Sequence, residues 1–119
     1  MAGAGRHVLL LDLVDDPEAI ARYEGWHAAG RVPAAVVRSI RAADVRAMEI
    51  YRAGNRLVMT LETGPGFDPE AKAAADAADP DVQAWERLMD TVQRPIPAAA
   101  PGVKWTPAQR IFALDEQSG

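Results

Sequence analysis

Two segments of alternating apolar and polar side chains flank a tight turn near the middle of the chain, and this hairpin constrains the fold most. The first segment covers residues 45–52, the second covers residues 56–63, and Ala53-Gly54-Asn55 lies between them. Alternation with a period of two is typical of β-strands, and a short Gly/Asn turn is typical of hairpins. The sequence therefore predicts an antiparallel strand pair here.

The two faces of the first hairpin strand differ in chemistry. Strict alternation places Val45, Ala47 and Glu49 on one face, and Met48 and Ile50 on the other. The pattern leaves open which of these faces points toward the core. Both Met48 and Glu49 are therefore candidate site residues.

The segments around the hairpin predict two more strands and four helices. Proline-rich residues 94–107 predict a crossing loop. Three of the helices follow an Asp-Pro pair, which is a common helix start. The strands are expected at residues 6–14 and 109–114, and the helices at residues 17–29, 34–43, 70–78 and 81–93.

The order β, α, α, β, β, α, α, β predicts an α+β fold. It matches a ferredoxin-like split βαβ plan, with a four-stranded antiparallel sheet and helices on one face. A chain of 119 residues suggests a single domain over residues 1–119, with flexible ends at 1–5 and 116–119. The free sheet face needs a cover, so we expect a homodimer of the dimeric α+β barrel type.

Composition excludes several classes of function. A net charge of −4 without a basic patch argues against nucleic acid as a partner. No apolar run approaches the roughly 20 residues of a membrane span, and no signal peptide is evident, so we expect a cytoplasmic protein. The chain has no cysteine and only two histidines without ligand spacing, which predicts no metal site.

A tyrosine and a histidine near the end of the first predicted helix are the leading candidates for chemistry. Tyr23 and His27 are four positions apart and share a helix face, so a phenol and an imidazole lie together. Trp85 and Glu86 on the last helix and Trp105 in the crossing loop add indoles and a carboxylate. Indoles stack on sugar C–H faces while polar groups bind hydroxyls, so the set suits a monosaccharide.

Taken in order, these motifs resemble the L-rhamnose mutarotase family over residues 8–114. That family consists of small dimeric ferredoxin-like proteins that interconvert the anomers of 6-deoxy sugars. The resemblance implies this activity, without a cofactor, for the present chain. The matching motifs are Tyr23-x3-His27 followed by Pro33, Gly54-Asn55-Arg56-Leu57, Asp81-Val82-Gln83-x-Trp85 and Gln109-Arg110-Ile111-Phe112.

The resemblance also implies roles for single residues. It makes His27 the proton donor and Tyr23 a sugar-binding residue, while Trp85 matches the first of two paired tryptophans. Glu86 stands where the second tryptophan is found, and Met48 stands where the family has a tyrosine. These departures affect sugar recognition more than proton transfer. Together they resemble a sub-branch that acts on L-fucose, and they leave the general base unidentified.

The same fold plan hosts other classes of protein, so fold alone does not decide the function. The alternatives are a cofactor-free monooxygenase and a non-catalytic dimeric binding protein. A monooxygenase needs an apolar pocket for a large flat substrate, and a simple binder does not need His27. Indole and carboxylate groups near His27 favour the sugar interpretation.

Overall fold

The computed structural model describes residues 4–119, which form one antiparallel sheet of long and short strands together with four α-helices. The strand order is β2-β3-β1-β4, and β5 also pairs with β1. The predicted α+β plan and the central hairpin are confirmed. The elements are β1 (Gly5–Leu13), α1 (Pro17–Trp26), α2 (Ala34–Ala42), β2 (Val45–Ala53), β3 (Arg56–Thr63), α3 (Pro69–Ala78), α4 (Pro80–Asp90), β4 (Gln93–Arg94) and β5 (Thr106–Pro107).

Aspartate side chains start three of the helices. Asp16, Asp68 and Asp79 each accept hydrogen bonds from backbone N–H groups in the following turn, and a proline follows each one. The carboxylate satisfies donors that have no partner within the helix, and proline suits the first helical position because it lacks the N–H. None of the helices formed by residues 4–119 has both the length and the apolar character needed to cross a membrane.

The fourth position of the sheet differs from the prediction. Two short strands occupy it, because β4 pairs with Asp12 and Leu13 and β5 pairs with Leu9 and Leu10. The predicted strand at residues 109–114 is wrong, since residues 109–113 form no regular element and Leu114–Glu116 forms a 3₁₀ helix. β3 lies on the other edge of β1, so the later segment has no edge of β1 left to pair with.

Several predicted boundaries also need correction. α4 ends at Asp90 rather than at residue 93, and Gln93–Arg94 forms β4. Gly5 begins β1, so the predicted flexible start does not extend that far, and residues 1–3 lie outside the described residues. α1 ends at Trp26 rather than at residue 29. The N–H of His27 bonds to the carbonyls of Glu24 and Gly25, which tightens the last turn and makes His27 the C-cap.

The core forms where the inner face of the sheet meets α1 and α4. Leu11, Leu13 and Leu57 on this face have at most 1% of their surface exposed. Tyr23 from α1 and Met89 from α4 belong to the same buried cluster. Burial of these large apolar side chains removes area from water and holds α1 against the sheet. The end of α1 is thereby held in a defined place.

A β-bulge at the start of β2 changes which side chains face inward. The pairing register shifts between Val45 and Ala47, so one extra residue lies on this strand. Val45 therefore shares the inner face with Met48, and the predicted strict alternation is wrong at Val45. Further along the strand the alternation holds, so Met48 points toward the helices and Glu49 points away from them.

Candidate active site

A cavity of about 540 Å³ lies between the helices and the inner face of the sheet. This volume falls within the roughly 300–1,000 Å³ range of small-molecule sites. Met48 and Ile50 contribute to its sheet wall, Tyr23 to its α1 wall and Trp85 to its α4 wall. Trp105, which precedes β5, also lines the cavity. The elements that build the core therefore also bring these distant residues together.

His27 lies in this cavity between two aromatic rings. Its ring centroid is 4.1 Å from that of Tyr23 and 5.2 Å from that of Trp85, which meets it edge-on at 65°. The nitrogen Nδ1 lies 2.8 Å from the backbone carbonyl oxygen of Tyr23. A carbonyl only accepts, so Nδ1 carries the hydrogen and donates it. Neutral His27 therefore presents Nε2 as its hydrogen-bond acceptor.

The environment of His27 favours its neutral form. Burial lowers the pKa of His27 below its ordinary value of 6.5, and the hydrogen bond to Tyr23 offsets only part of this. The charged imidazolium loses more hydration than the neutral ring when water is removed. At neutral pH the ring is consequently a base at Nε2, and it becomes an acid once it has taken up a proton.

Tyr23 has the opposite protonation behaviour. Burial raises its pKa to about 12, and a side-chain hydrogen bond with Gln93 works against this shift. The phenol therefore keeps its proton throughout the neutral range and can act as a donor. Gln93 is a buried residue of β4 that sequence reasoning missed. No local pattern marks it, because its partner lies on a distant element.

The structure brings six of the seven predicted site residues to the cavity wall, all except Glu49. The Glu49 side chain lies on the outer face of the sheet and accepts a hydrogen bond from Tyr51 Oη at 2.8 Å. Glu86 reaches the cavity, but its Oε2 accepts a hydrogen bond from Lys104 Nζ at 3.1 Å. Among residues 4–119, no three His, Asp or Glu side chains are grouped so that they could hold a metal ion.

The arrangement provides a base, a donor and a stacking surface around one space. The sequence profile of the L-rhamnose mutarotase family matches residues 6–114, which is nearly the whole chain. The chain belongs to this family. Its members are isomerases that act on sugars, and membership supports the sugar interpretation over the monooxygenase and the simple binder.

Two individual proteins are similar to this chain, one in sequence and one in fold. The chain is 51% identical over 107 residues to a protein from Xanthomonas campestris pv. campestris named L-fucose mutarotase, covering 90% of this chain and 86% of that protein. It also resembles the crystal structure of an L-rhamnose mutarotase from Formosa agariphila, with a TM-score of 0.66 and 15% sequence identity. That match covers 92% of this chain and 98% of the other, and at this identity it supports the fold alone.

Proposed function

We propose that this chain is a mutarotase that interconverts the α and β anomers of a 6-deoxy sugar. L-Fucose is the favoured substrate, because the relative at 51% identity carries that name, and L-rhamnose is the second candidate. The observation that carries the proposal is the His27 ring. Its Nδ1 is engaged by the carbonyl of Tyr23 at 2.8 Å, which leaves Nε2 for a sugar in the cavity.

Mutarotation needs two proton transfers at neighbouring oxygens. In the proposed mechanism, neutral Nε2 of His27 takes the proton from the anomeric hydroxyl as the bond between C1 and the ring oxygen breaks. The same nitrogen then gives that proton to the ring oxygen, and an open-chain aldehyde results. After rotation about C1–C2, the reverse steps close the ring on the other face. One imidazole is sufficient because both oxygens are attached to the same carbon.

The remaining residues of the cavity bind and orient the sugar. Tyr23 keeps its proton, so its hydroxyl can hold the sugar through a hydrogen bond or relay a proton. The indole of Trp85 supplies the apolar wall beside His27. Met48 and Trp105 extend this wall. Glu49 is not part of the proposed site, because its side chain lies on the outer face of the sheet, away from the cavity.

We expect the protein to accelerate anomer exchange of L-fucose more than that of L-rhamnose or D-galactose. The measurement is saturation transfer between the α and β anomeric protons by NMR, with an enzyme-free sample subtracted. Faster exchange of L-rhamnose alone would support the mutarotase activity but contradict the assignment to the sub-branch that acts on L-fucose. Exchange that matches the enzyme-free rate for all three sugars would contradict the proposed function.

We also expect exhaustive chelation with EDTA to leave the exchange rate unchanged. Proton transfer by an imidazole supplies both steps, so no Lewis acid is needed. The comparison is the NMR exchange rate before chelation, after chelation, and after re-addition of zinc. A rate that falls on chelation and returns with zinc would overturn this mechanism.

We further propose that two copies pack through the outer face of the sheet. Val8, Leu10, Val58 and Tyr51 expose apolar surface on this face, and Leu10 and Tyr51 both lie opposite Val58. Ion pairs lie around this patch, between Arg6 and Glu62 and between Asp12 and Arg56. An apolar centre with a charged rim is the usual anatomy of a protein interface, and a second copy offers the same surface.

A lysine in the centre of this patch is expected to separate the dimer. Val58→Lys places a charge where the outer faces would meet, and an unpaired buried charge is strongly unfavourable. Ala74→Lys on the exposed side of α3 is the matched control and leaves the dimer intact. Sedimentation velocity at micromolar concentration measures both. A wild-type protein that sediments as a monomer would contradict the proposed dimer.

A further inference from the structure

The segment that follows β4 contributes an indole to the cavity wall. Residues 95–105 form no helix or strand, and turn bonds such as that from Val103 N–H to the Ala100 carbonyl shape their path. Trp105 at the end of this segment is half-buried, packs against the core and lines the cavity. β5 begins at the next residue, so pairing with β1 anchors the chain on one side of Trp105.

Lys104 anchors the other side. Its Nζ lies 3.1 Å from Glu86 Oε2 and 2.5 Å from Asp90 Oδ1. These two carboxylates are one helical turn apart on α4 and therefore share a face. Burial alone would lower the pKa of Lys104, but the hydrogen bonds to Asp90 and Glu86 outweigh it and raise the pKa. The ammonium therefore keeps its charge and both partners at neutral pH.

The same turn of α4 carries the other indole of the cavity. Trp85 precedes Glu86, and its ring meets His27 edge-on at 5.2 Å. The ion pair between Glu86 and Lys104 therefore links the residue after Trp85 to the residue before Trp105. The crossing segment is thus tied to α4 beside the wall that the sugar would contact.

We infer that Lys104 is a positioning residue, whose ion pairs with Glu86 and Asp90 hold Trp105 in the cavity wall before the sugar binds. The inference rests on the proposed mutarotase function. It gives Glu86 a role through Lys104 instead of direct hydroxyl binding. A wall that is already ordered loses less conformational entropy on binding, so Lys104 affects sugar affinity more than proton transfer.

The first test is Lys104→Met, which keeps the aliphatic stem and removes the charge. The carboxylates of both ion pairs are exposed, so their loss is expected to raise KM for L-fucose by about three- to tenfold, with kcat within about twofold of wild type. Lys104→Arg retains the charge and restores most of the affinity. Arg87→Met, at an exposed position on the same helix, is the matched control and keeps the wild-type KM.

Tryptophan fluorescence gives a readout that does not depend on activity. Acrylamide should quench the Lys104→Met variant more strongly than wild type, because Trp105 is less well held. The increase should disappear when Trp105→Phe is present in both proteins. A folded Lys104→Met variant with wild-type quenching and wild-type KM overturns the inference. If the wild-type protein exchanges no sugar, the proposed function fails, while quenching still decides whether Lys104 holds Trp105.

A double-mutant comparison tests the role of Glu86. If Glu86 acts through Lys104, Glu86→Gln raises KM in the wild-type background and has little further effect on Lys104→Met. If Glu86 binds the sugar itself, the two effects on KM multiply, and the role assigned here to Glu86 is overturned. Thermal melts of all four proteins confirm that each is folded at the assay temperature.

Discussion

His27→Ala is expected to lose most anomer exchange while the protein remains folded. A positioned acid or base contributes about 10²–10⁴-fold to a rate, which corresponds to about 3–5 kcal/mol of barrier. The stability cost is smaller, because His27 caps α1 beside an open cavity and is only half-buried. NMR exchange rates and thermal melts of the same preparation measure the two effects separately.

Tyr23→Phe is the matched comparison for this variant. It keeps the buried ring, which belongs to the core, and deletes the hydroxyl that bonds to Gln93. A rate loss smaller than that of His27→Ala indicates that Tyr23 holds the sugar, and an equal loss indicates that it transfers a proton. A folded His27→Ala variant with the wild-type rate would reject His27 and redirect the search toward Glu86.

The second large effect expected is a loss of activity in acid. His27 has a pKa below 6.5 and works from its neutral form, so kcat/KM is flat at neutral pH. As pH falls below that pKa, Nε2 becomes protonated, and kcat/KM drops about tenfold per pH unit. A histidine that had to start as an acid would give the opposite sign, with activity falling as pH rises through the pKa.

The pH profile needs two controls. The enzyme-free exchange rate is subtracted at each pH, because acid and base also catalyse ring opening in water. The residual rate of His27→Ala should lack the acid limb, because the titrating group is absent. Circular dichroism at each pH identifies any loss of structure. Activity of the folded wild-type protein that rises as the solution becomes more acidic would contradict the base role of Nε2.

The same burial also links His27 to stability. The unfolded chain binds a proton at His27 with a pKa near 6.5, while the folded chain resists protonation until lower pH. Below pH 6.5 the unfolded state therefore binds more protons, and the free energy of unfolding decreases as pH falls toward the folded-state pKa. This effect accompanies the loss of activity in acid, so the structural control is essential.

Local sequence signals predicted the elements that depend on neighbouring residues. Asp16-Pro17, Asp68-Pro69 and Asp79-Pro80 mark helix starts because the cap is made within a few residues. The hairpin turn at Gly54 is similarly local, since its φ of 59° suits glycine. Spacing also placed Tyr23 and His27 on one face. These features depend on short-range geometry, so they can be read from the chain alone.

Long-range pairing decided the remaining features. Ile111 and Phe112 have the composition of a strand, yet 92% and 62% of their surfaces are exposed, because other segments occupy the edge of β1. The bulge after Val45 and the inward face of Met48 depend on register with β3.

The active-site chemistry divides in the same way. Sequence alone identified His27 and its tyrosine partner, and family resemblance supplied the sugar. The lowered pKa of His27, the partnership of Tyr23 with Gln93 and the engagement of Glu86 by Lys104 required the tertiary structure. Each of these features depends on desolvation or on a contact between separate elements. Desolvation and long-range contacts are not encoded in the spacing of residues along the chain.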